Sequence, residues 1–301
     1  MNGTSLKLAL CLAVAGSAAI AEPIAFPSPE DAVADLVAAL ETGDRAGVVA
    51  IFGEENLDVV STGDAAEDKE IWSDFLEGAQ ELTKVDLVSP DVATLFVGRD
   101  LWPFPAPLVR GEDGWAFDAE AAREEVLMRR IGRHELAVIE VLKRANGIQS
   151  IYRRYDHDGD GVMEFAAGIL SGPGARDGLY WPASAGGLSP FDDRIARANL
   201  GGFAIDGQDV EPDPWEGYYF TILQEQGPAA PGGAYSYMVN GNMVSGYAVL
   251  AVPAIYGDTG IMSFMVGENG IVYEADLGED TLARALEIKA FDPAEEWSPV
   301  D

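Results

Sequence analysis

The residues best suited to chemistry stand together in the run Asp156-His-Asp-Gly-Asp-Gly-Val-Met-Glu164. Carboxylates at the alternate positions Asp156, Asp158 and Asp160 converge when the chain wraps a cation. Gly161 permits the sharp turn, the Val162 carbonyl can add a ligand, and Glu164 can close the sphere. Four acids packed so closely repel one another unless a cation lies among them. Oxygen donors in this number suit Ca²⁺ better than Mg²⁺, which keeps more water and fewer protein oxygens. Asp156, Asp158, Asp160, Val162 and Glu164 are therefore the expected metal ligands, and the ion's expected role is structural rather than catalytic. The competing reading is a metal-free Asp/Gly turn.

Because it follows a long helical pattern, the run resembles the calcium loop of an EF-hand. It departs from that loop at the twelfth position, where Ala167 stands in place of a bidentate Glu, so affinity is reduced or a residue such as Asp177 supplies a ligand from elsewhere. The rest of the inventory is poor in chemistry. The two histidines are His134, on the apolar stripe of that helix as a satisfied core or boundary residue, and His157, expected to point to solvent. Neither a Cys-His pair nor a zinc site of three His can be assembled. No Gly-x-Ser-x-Gly elbow occurs, and Gly227 to Gly233 contains two prolines and precedes a strand, so it does not cradle phosphate. No catalytic residue is assigned and no cofactor other than Ca²⁺ is expected. An acid/base pair could lie among the 51 Asp and Glu, but only geometry selects one.

The elements that must position the acidic run can be read from periodicity. Ser28 caps a helix to Leu40 with Pro29 at its first position, and Thr42-Gly43-Asp44 ends it and caps a second through Phe52. A third helix is expected over Glu67 to Gln80. Leu82 to Val88, Val92 to Val97, Ala106 to Arg110 and Trp115 to Phe117 read as strands of an antiparallel sheet. Ala119 to Tyr155 is the longest helical pattern, one helix or two joined at Gly132, with a stripe of Leu127, Ile131, Val138, Leu142, Ala145, Ile148, Tyr152 and Tyr155. Between Arg123 and Arg154 it holds eight Lys and Arg against four acids, a positive rod that either pairs with acidic neighbours in the same molecule or docks an acidic partner.

Strands then fall at Tyr218 to Leu223, Tyr247 to Val252, Met262 to Val266 and Val272 to Glu274. Hairpin turns are expected at Asn240-Gly241 and Asn269-Gly270, both central positions needing φ > 0, and a last helix over Asp280 to Lys289. The aromatic segments Trp102 to Pro107 and Leu179 to Pro182 are loops pinned to the core or linings of a groove. The expected fold class is α+β: N-terminal helices with a small antiparallel sheet in residues 22–118, then a long central helix packed on a C-terminal antiparallel sheet in residues 119–301.

With 51 Asp and Glu against 19 Lys and Arg in 301 residues, the formal charge of −32 argues against a nucleic-acid or anionic-membrane partner. Residues 1–21 are expected to be a signal peptide: Lys7, an apolar stretch from Leu8 to Ile20, and the small-x-small ending Ala19-Ile20-Ala21, leaving a mature chain from Glu22. The apolar stretch is shorter than the ~20 residues that a spanning helix needs. Lipidation at Cys11 is rejected because Leu10 precedes it. Cleavage removes this lone cysteine, so no disulfide is available. The longest later apolar run, Tyr247 to Tyr256, is broken by Pro253, so no stable membrane insertion is expected, and the location is periplasmic or secreted.

Trp102-Pro-Phe-Pro-Ala-Pro-Leu-Val109, Arg130-Ile-Gly-Arg-His-Glu-Leu136, Asp156-His-Asp-Gly-Asp-Gly161, Arg176-Asp-Gly-Leu-Tyr-Trp-Pro182, Gly217-Tyr-Tyr-Phe220, Gln226-Gly-Pro-Ala-Ala-Pro-Gly-Gly233 and Val252-Pro-Ala-Ile-Tyr-Gly257 together resemble an exported bacterial family catalogued as domain of unknown function 2950. That resemblance implies compartment and architecture but no activity. Gly217 to Ile222, Ala248 to Pro253, Gly260 to Phe264 and Gly270 to Val272, following a long helix, are similar to the globular head of type IV pilins and type II secretion pseudopilins, among which calcium stabilises the head. The opening helix and Thr42-Gly-Asp-Arg45 resemble the nuclear transport factor 2-like fold. The expectation is a non-enzymatic, calcium-binding accessory protein that meets a protein or cell-envelope partner. The alternatives are a carboxylate-based hydrolase of cell-wall or carbohydrate material and a small-molecule carrier with a cavity in the first domain.

Overall fold

The computed structural model describes residues 23–205 and 208–300. The expected signal peptide, with Lys7 and Cys11, lies outside them. The chain divides into two compact units, one ending at Val126 and one beginning at Leu127.

In the first unit, Ser28 accepts the Asp31 amide and Pro29 opens α1 (Pro29–Thr42), where its missing N–H costs nothing. The helix ends at Gly43, in the left-handed conformation at φ 66°. Asp44 accepts the Gly47 amide and starts α2 (Arg45–Phe52). A single turn, α3 (Leu57–Val60), leads to α4 (Ala65–Glu81), capped by Asp64. The sheet contains β1 (Thr83–Ser89), β2 (Val92–Val97), β3 (Trp102–Pro103), β4 (Leu108–Arg110) and β5 (Trp115–Phe117). Its order is β1-β2-β4-β5, all antiparallel, with β3 against the end of β2. Leu36, Val48, Ile51 and Phe52 bury against Leu95, Leu108 and Phe117. Phe104 meets Phe75 and Phe117 edge-on, so the Trp102 to Pro107 segment is tied to the core through this ring.

One buried acid organises the α3–α4 connection. Asp68 is 3% exposed and accepts from Ser61 Oγ (2.6 Å), Thr62 N (2.7 Å), Arg45 Nη1 (2.9 Å) and Thr62 Oγ1 (3.0 Å). Burial pushes this carboxyl up, but the hydrogen bonds from Ser61, Thr62 and Arg45 outweigh it and hold the pKa below its ordinary value.

The helix α5 (Ala119–Tyr152) runs unbroken through Gly132. Its first two turns bury Ala119 and Ala122 in the first core, so the division falls inside the helix rather than ahead of it. Further along, Val138, Leu142, Ala145 and Tyr152 enter the second core. Tyr155, expected on this stripe, is 64% exposed because the helix stops at Tyr152.

The second unit continues with the parallel pair β6 (Gly168–Leu170) and β7 (Gly178–Tyr180), the short α6 (Asp193–Arg197), and the hairpin β8 (Phe203–Ile205) with β9 (Gln208–Val210). At Gly178 a Cβ would stand 2.4 Å from the Leu170 carbonyl carbon, which is why a glycine sits where β6 and β7 approach. The main sheet is built on β10 (Tyr218–Leu223), followed by β11 (Glu225–Gln226), β12 (Tyr235–Ser236), β13 (Met238–Val239) and β14 (Asn242–Met243), which form smaller pairings. Then come β15 (Ala248–Pro253), β16 (Met262–Gly267), β17 (Val272–Asp276), α7 (Thr281–Glu287), β18 (Ala290–Phe291) and β19 (Ser298–Pro299). The antiparallel order is β10-β15-β16-β17-β19.

Every residue of β15 is buried, as its uninterrupted apolar sequence requires. Helix α5 shares one core with Phe220, Leu250 and Phe264 of this sheet, and the class is α+β. Asn240 (φ 53°) and Gly241 (φ 96°) form the two-residue turn between β13 and β14. At Asn269-Gly270 only Gly270 has positive φ (76°); the turn is longer, closed by Gly270 N donating to Gly267 O at 3.0 Å, so a four-residue turn ending in one left-handed glycine replaces the expected pair.

Replacing the buried carboxylate, Asp68→Asn, is expected to lower stability by on the order of 1–3 kcal/mol near neutral pH. Because the native pKa is depressed, the wild-type advantage is present above the ordinary carboxylate range and is lost as pH falls through the lowered value. The gap between thermal melts of the two proteins should therefore begin to narrow below about pH 4 and close once the pH falls beneath the lowered native value; a constant gap as the pH falls from neutral through that value would contradict the assignment.

Candidate metal centre

The acidic run begins four residues after α5 ends, and both of its flanks are anchored. On the helix side, Gln149 is fully buried, donating Nε2 to Ala166 O (3.1 Å) and accepting Ala166 N on Oε1 (2.9 Å). This side chain ties the exit of the loop to the last turns of α5 by satisfying both backbone groups of one buried residue. On the other side, Met243 of β14 receives the Phe165 amide (2.8 Å) and gives its own amide to Glu164 Oε2 (2.7 Å), while Asn242 Nδ2 donates to Asp160 Oδ2.

Within the loop the acids hold the backbone. Asp156 accepts Gly159 N (2.7 Å) and Gly161 N (3.0 Å), Asp158 accepts Asp160 N (3.2 Å), and Asp160 accepts Val162 N (2.7 Å). Gly159 and Gly161 stand at φ 83° and 88°, the conformation that lets these amides turn inward, and Gly161 thus has its expected place. The amides of Gly159 and Gly161 hold the Asp156 carboxyl below its ordinary pKa. One oxygen from each of Asp156, Asp158 and Asp160 lies within 4.8 Å of the others, and all three residues are exposed.

Glu164 stands beside this group but faces β14. Burial raises its pKa and the Met243 amide opposes the rise, while the charges of Asp158, Asp160 and Asp177 add to it. Asp177 itself accepts Gly172 N at 2.8 Å. Val162 gives its amide to Asp160, and position 167 brings no carboxylate.

The donor set fits a hard cation. Oxygens on opposite sides of Ca²⁺, each at about 2.4 Å, stand about 4.8 Å apart, and each acid keeps free lone pairs after accepting its amides. Asp156, Asp158 and Asp160 are the residues that could hold the ion first, with the Val162 carbonyl and water to complete it, and Glu164 is near enough to feel the charges of Asp158 and Asp160.

His157 differs from expectation. Its ring stacks on Tyr152 at 4.0 Å between centroids, and Nε2 lies 3.0 Å from Tyr152 O, so the imidazole covers the aromatic ring instead of standing free in solvent. His134 is half-buried with Nδ1 2.9 Å from Thr259 O, a satisfied boundary residue. Sequence reasoning missed Gln149 and Asn242. Gln149 was detectable, since 142, 145, 149 and 152 continue the helical spacing of the stripe with one polar residue among apolar ones. Asn242 lies 82 residues from Asp160 and carries no local signal.

Two clefts lie in the second unit. One, of about 410 Å³, is bordered by Leu200, Leu223, Glu225, Met238, Leu286 and Lys289; the other, of about 460 Å³, by Val141, Arg144, Ile148, Leu188, Phe191 and Ile195, with Asp192 at its edge. No described helix is long and apolar enough to cross a membrane.

Gln149→Leu should remove both bonds to Ala166 and strand two buried backbone groups, costing on the order of 2–4 kcal/mol. Urea denaturation reads this directly; a loss below about 0.5 kcal/mol would show that the clamp is dispensable.

A family profile described as protein of unknown function (DUF2950) matches residues 24–300. No curated protein and no solved structure matches the chain, and the resemblance to pilin heads is not confirmed.

Proposed function

Since the chain belongs to the DUF2950 family, we propose that it is an exported, non-enzymatic protein that binds one Ca²⁺ at Asp156, Asp158 and Asp160 and serves as an interaction module of the cell envelope. The observation that carries the calcium reading is the convergence of three carboxylate oxygens within 4.8 Å on a loop whose own amides hold them there. The ion would screen the three acids and the neighbouring Glu164, and so join the end of α5 to the β13–β14 hairpin through Asn242 and Met243. That is a structural role. The excess of acid over base and the expected signal peptide support a place outside the cytoplasm among neutral or cationic surfaces rather than on nucleic acid.

Without a bidentate Glu at the twelfth position, affinity belongs in the weaker part of the range for such loops, a Kd on the order of 10⁻⁴ M. Titration calorimetry of the chain from Glu22 should give one site. Calcium at a hundred times Kd should then stabilise the fold by about 2.7 kcal/mol. Asp158→Asn with Asp160→Asn should weaken binding at least about tenfold. Absence of both heat and a rise in melting temperature in the wild-type protein would remove the calcium reading.

A further inference from the structure

The outward face of α5 is unusual for a protein with 51 acids. At 100° per residue, Arg133, Leu136, Glu140, Lys143, Arg144 and Ile151 fall within an arc of about 100°, opposite the buried Val138, Leu142 and Ala145. All six are exposed. Glu140 and Lys143 satisfy each other at 3.4 Å. Arg133 and Arg144 have no carboxylate partner among the described residues, whereas Arg123 is paired with Asp58 and Arg130 with Asp258. Leu136 and Ile151, 66% and 56% exposed, add apolar area to the same face. Along its edge lies the cleft of about 460 Å³, where Arg144 borders Val141, Ile148, Phe191 and Ile195, and Leu188 at the rim is 96% exposed.

We infer that this face docks an acidic, amphipathic polypeptide segment, with carboxylates on Arg133 and Arg144 and an apolar side chain in the cleft. Arg133 and Arg144 stand eleven residues apart, about 16 Å along the helix. A single small carboxylate reaches one of them, while a peptide reaches both. Two cations without a carboxylate partner among the described residues, on a strongly negative molecule, form a local complement to negative charge. An extended polyanion or an anionic bilayer would instead meet the repulsion of the whole chain. The inference names a surface for the interaction role proposed above and is independent of calcium.

The test is fluorescence anisotropy with a labelled synthetic peptide of about 20 residues, in which Glu and Leu recur at helical spacing, titrated against the full chain in chelator so that failure of the calcium loop does not affect it. Saturable binding is expected, weakened at least about tenfold by Arg133→Glu with Arg144→Glu and by Leu136→Ser with Ile151→Ser. Arg133→Lys with Arg144→Lys should retain most of the affinity, showing that charge rather than misfolding is responsible. The inference is overturned by no binding, by equal binding of the same peptide with Lys for Glu, or by unchanged affinity in either pair of variants. Phosphatidylglycerol vesicles that bind through the same arginines, or self-association that the arginine variants abolish, would assign the face to lipid or to a second copy and overturn it equally.

Discussion

Three negative charges gathered at one bend set the central physical problem of this structure. Two unit charges 4 Å apart repel by about 1 kcal/mol even in water, and more where solvent is partly excluded. The loop meets this first with its own backbone, since the amides of Gly159, Asp160, Gly161 and Val162 all point at carboxylates. Such amides act as partial positive charges and keep Asp156 ionised. They leave Glu164 with a raised pKa, because burial and the neighbouring acids act on it together. The loop is thus shaped to concentrate negative charge and only partly compensated for doing so.

That bend has its place because of what lies on either side. Gln149 is the polar residue of an otherwise apolar stripe, and it satisfies both the donor and the acceptor of Ala166. Met243 does the same service from β14, accepting from Phe165 and donating to Glu164. Between them the loop is suspended from a helix and a hairpin that are distant in sequence. A change in the charge of the loop is therefore felt by Asn242 and Met243. Calcium would act through that route, as a fastener between elements rather than as a participant in chemistry.

Charge is distributed with similar economy elsewhere. Asp68 is buried yet ionised because four hydrogen bonds outweigh its desolvation, and the same contacts define the entry to α4. Along α5 several cations find acids, and among the described residues Arg133 and Arg144 do not. The helix consequently has two characters, an apolar face consumed by the core and a mixed basic and apolar face left to solvent.

What depends on neighbours in sequence was legible from the residues. Ser28 with Pro29, Thr42-Gly43-Asp44 and Asn240-Gly241 act through caps and turns only a few residues long, so their structures follow from their types. The period of α5 identified its buried face for the same reason. The convergence of Asp156, Asp158 and Asp160 belongs to this class too, being set by glycines inside the loop. Tertiary packing decided the rest. It ended α5 before Tyr155, drew His157 onto the ring of Tyr152, gave Glu164 to the Met243 amide and brought Asn242 to Asp160. Those contacts join residues whose pairing has no local cause, because a buried polar group takes whichever partner the assembled core places within reach.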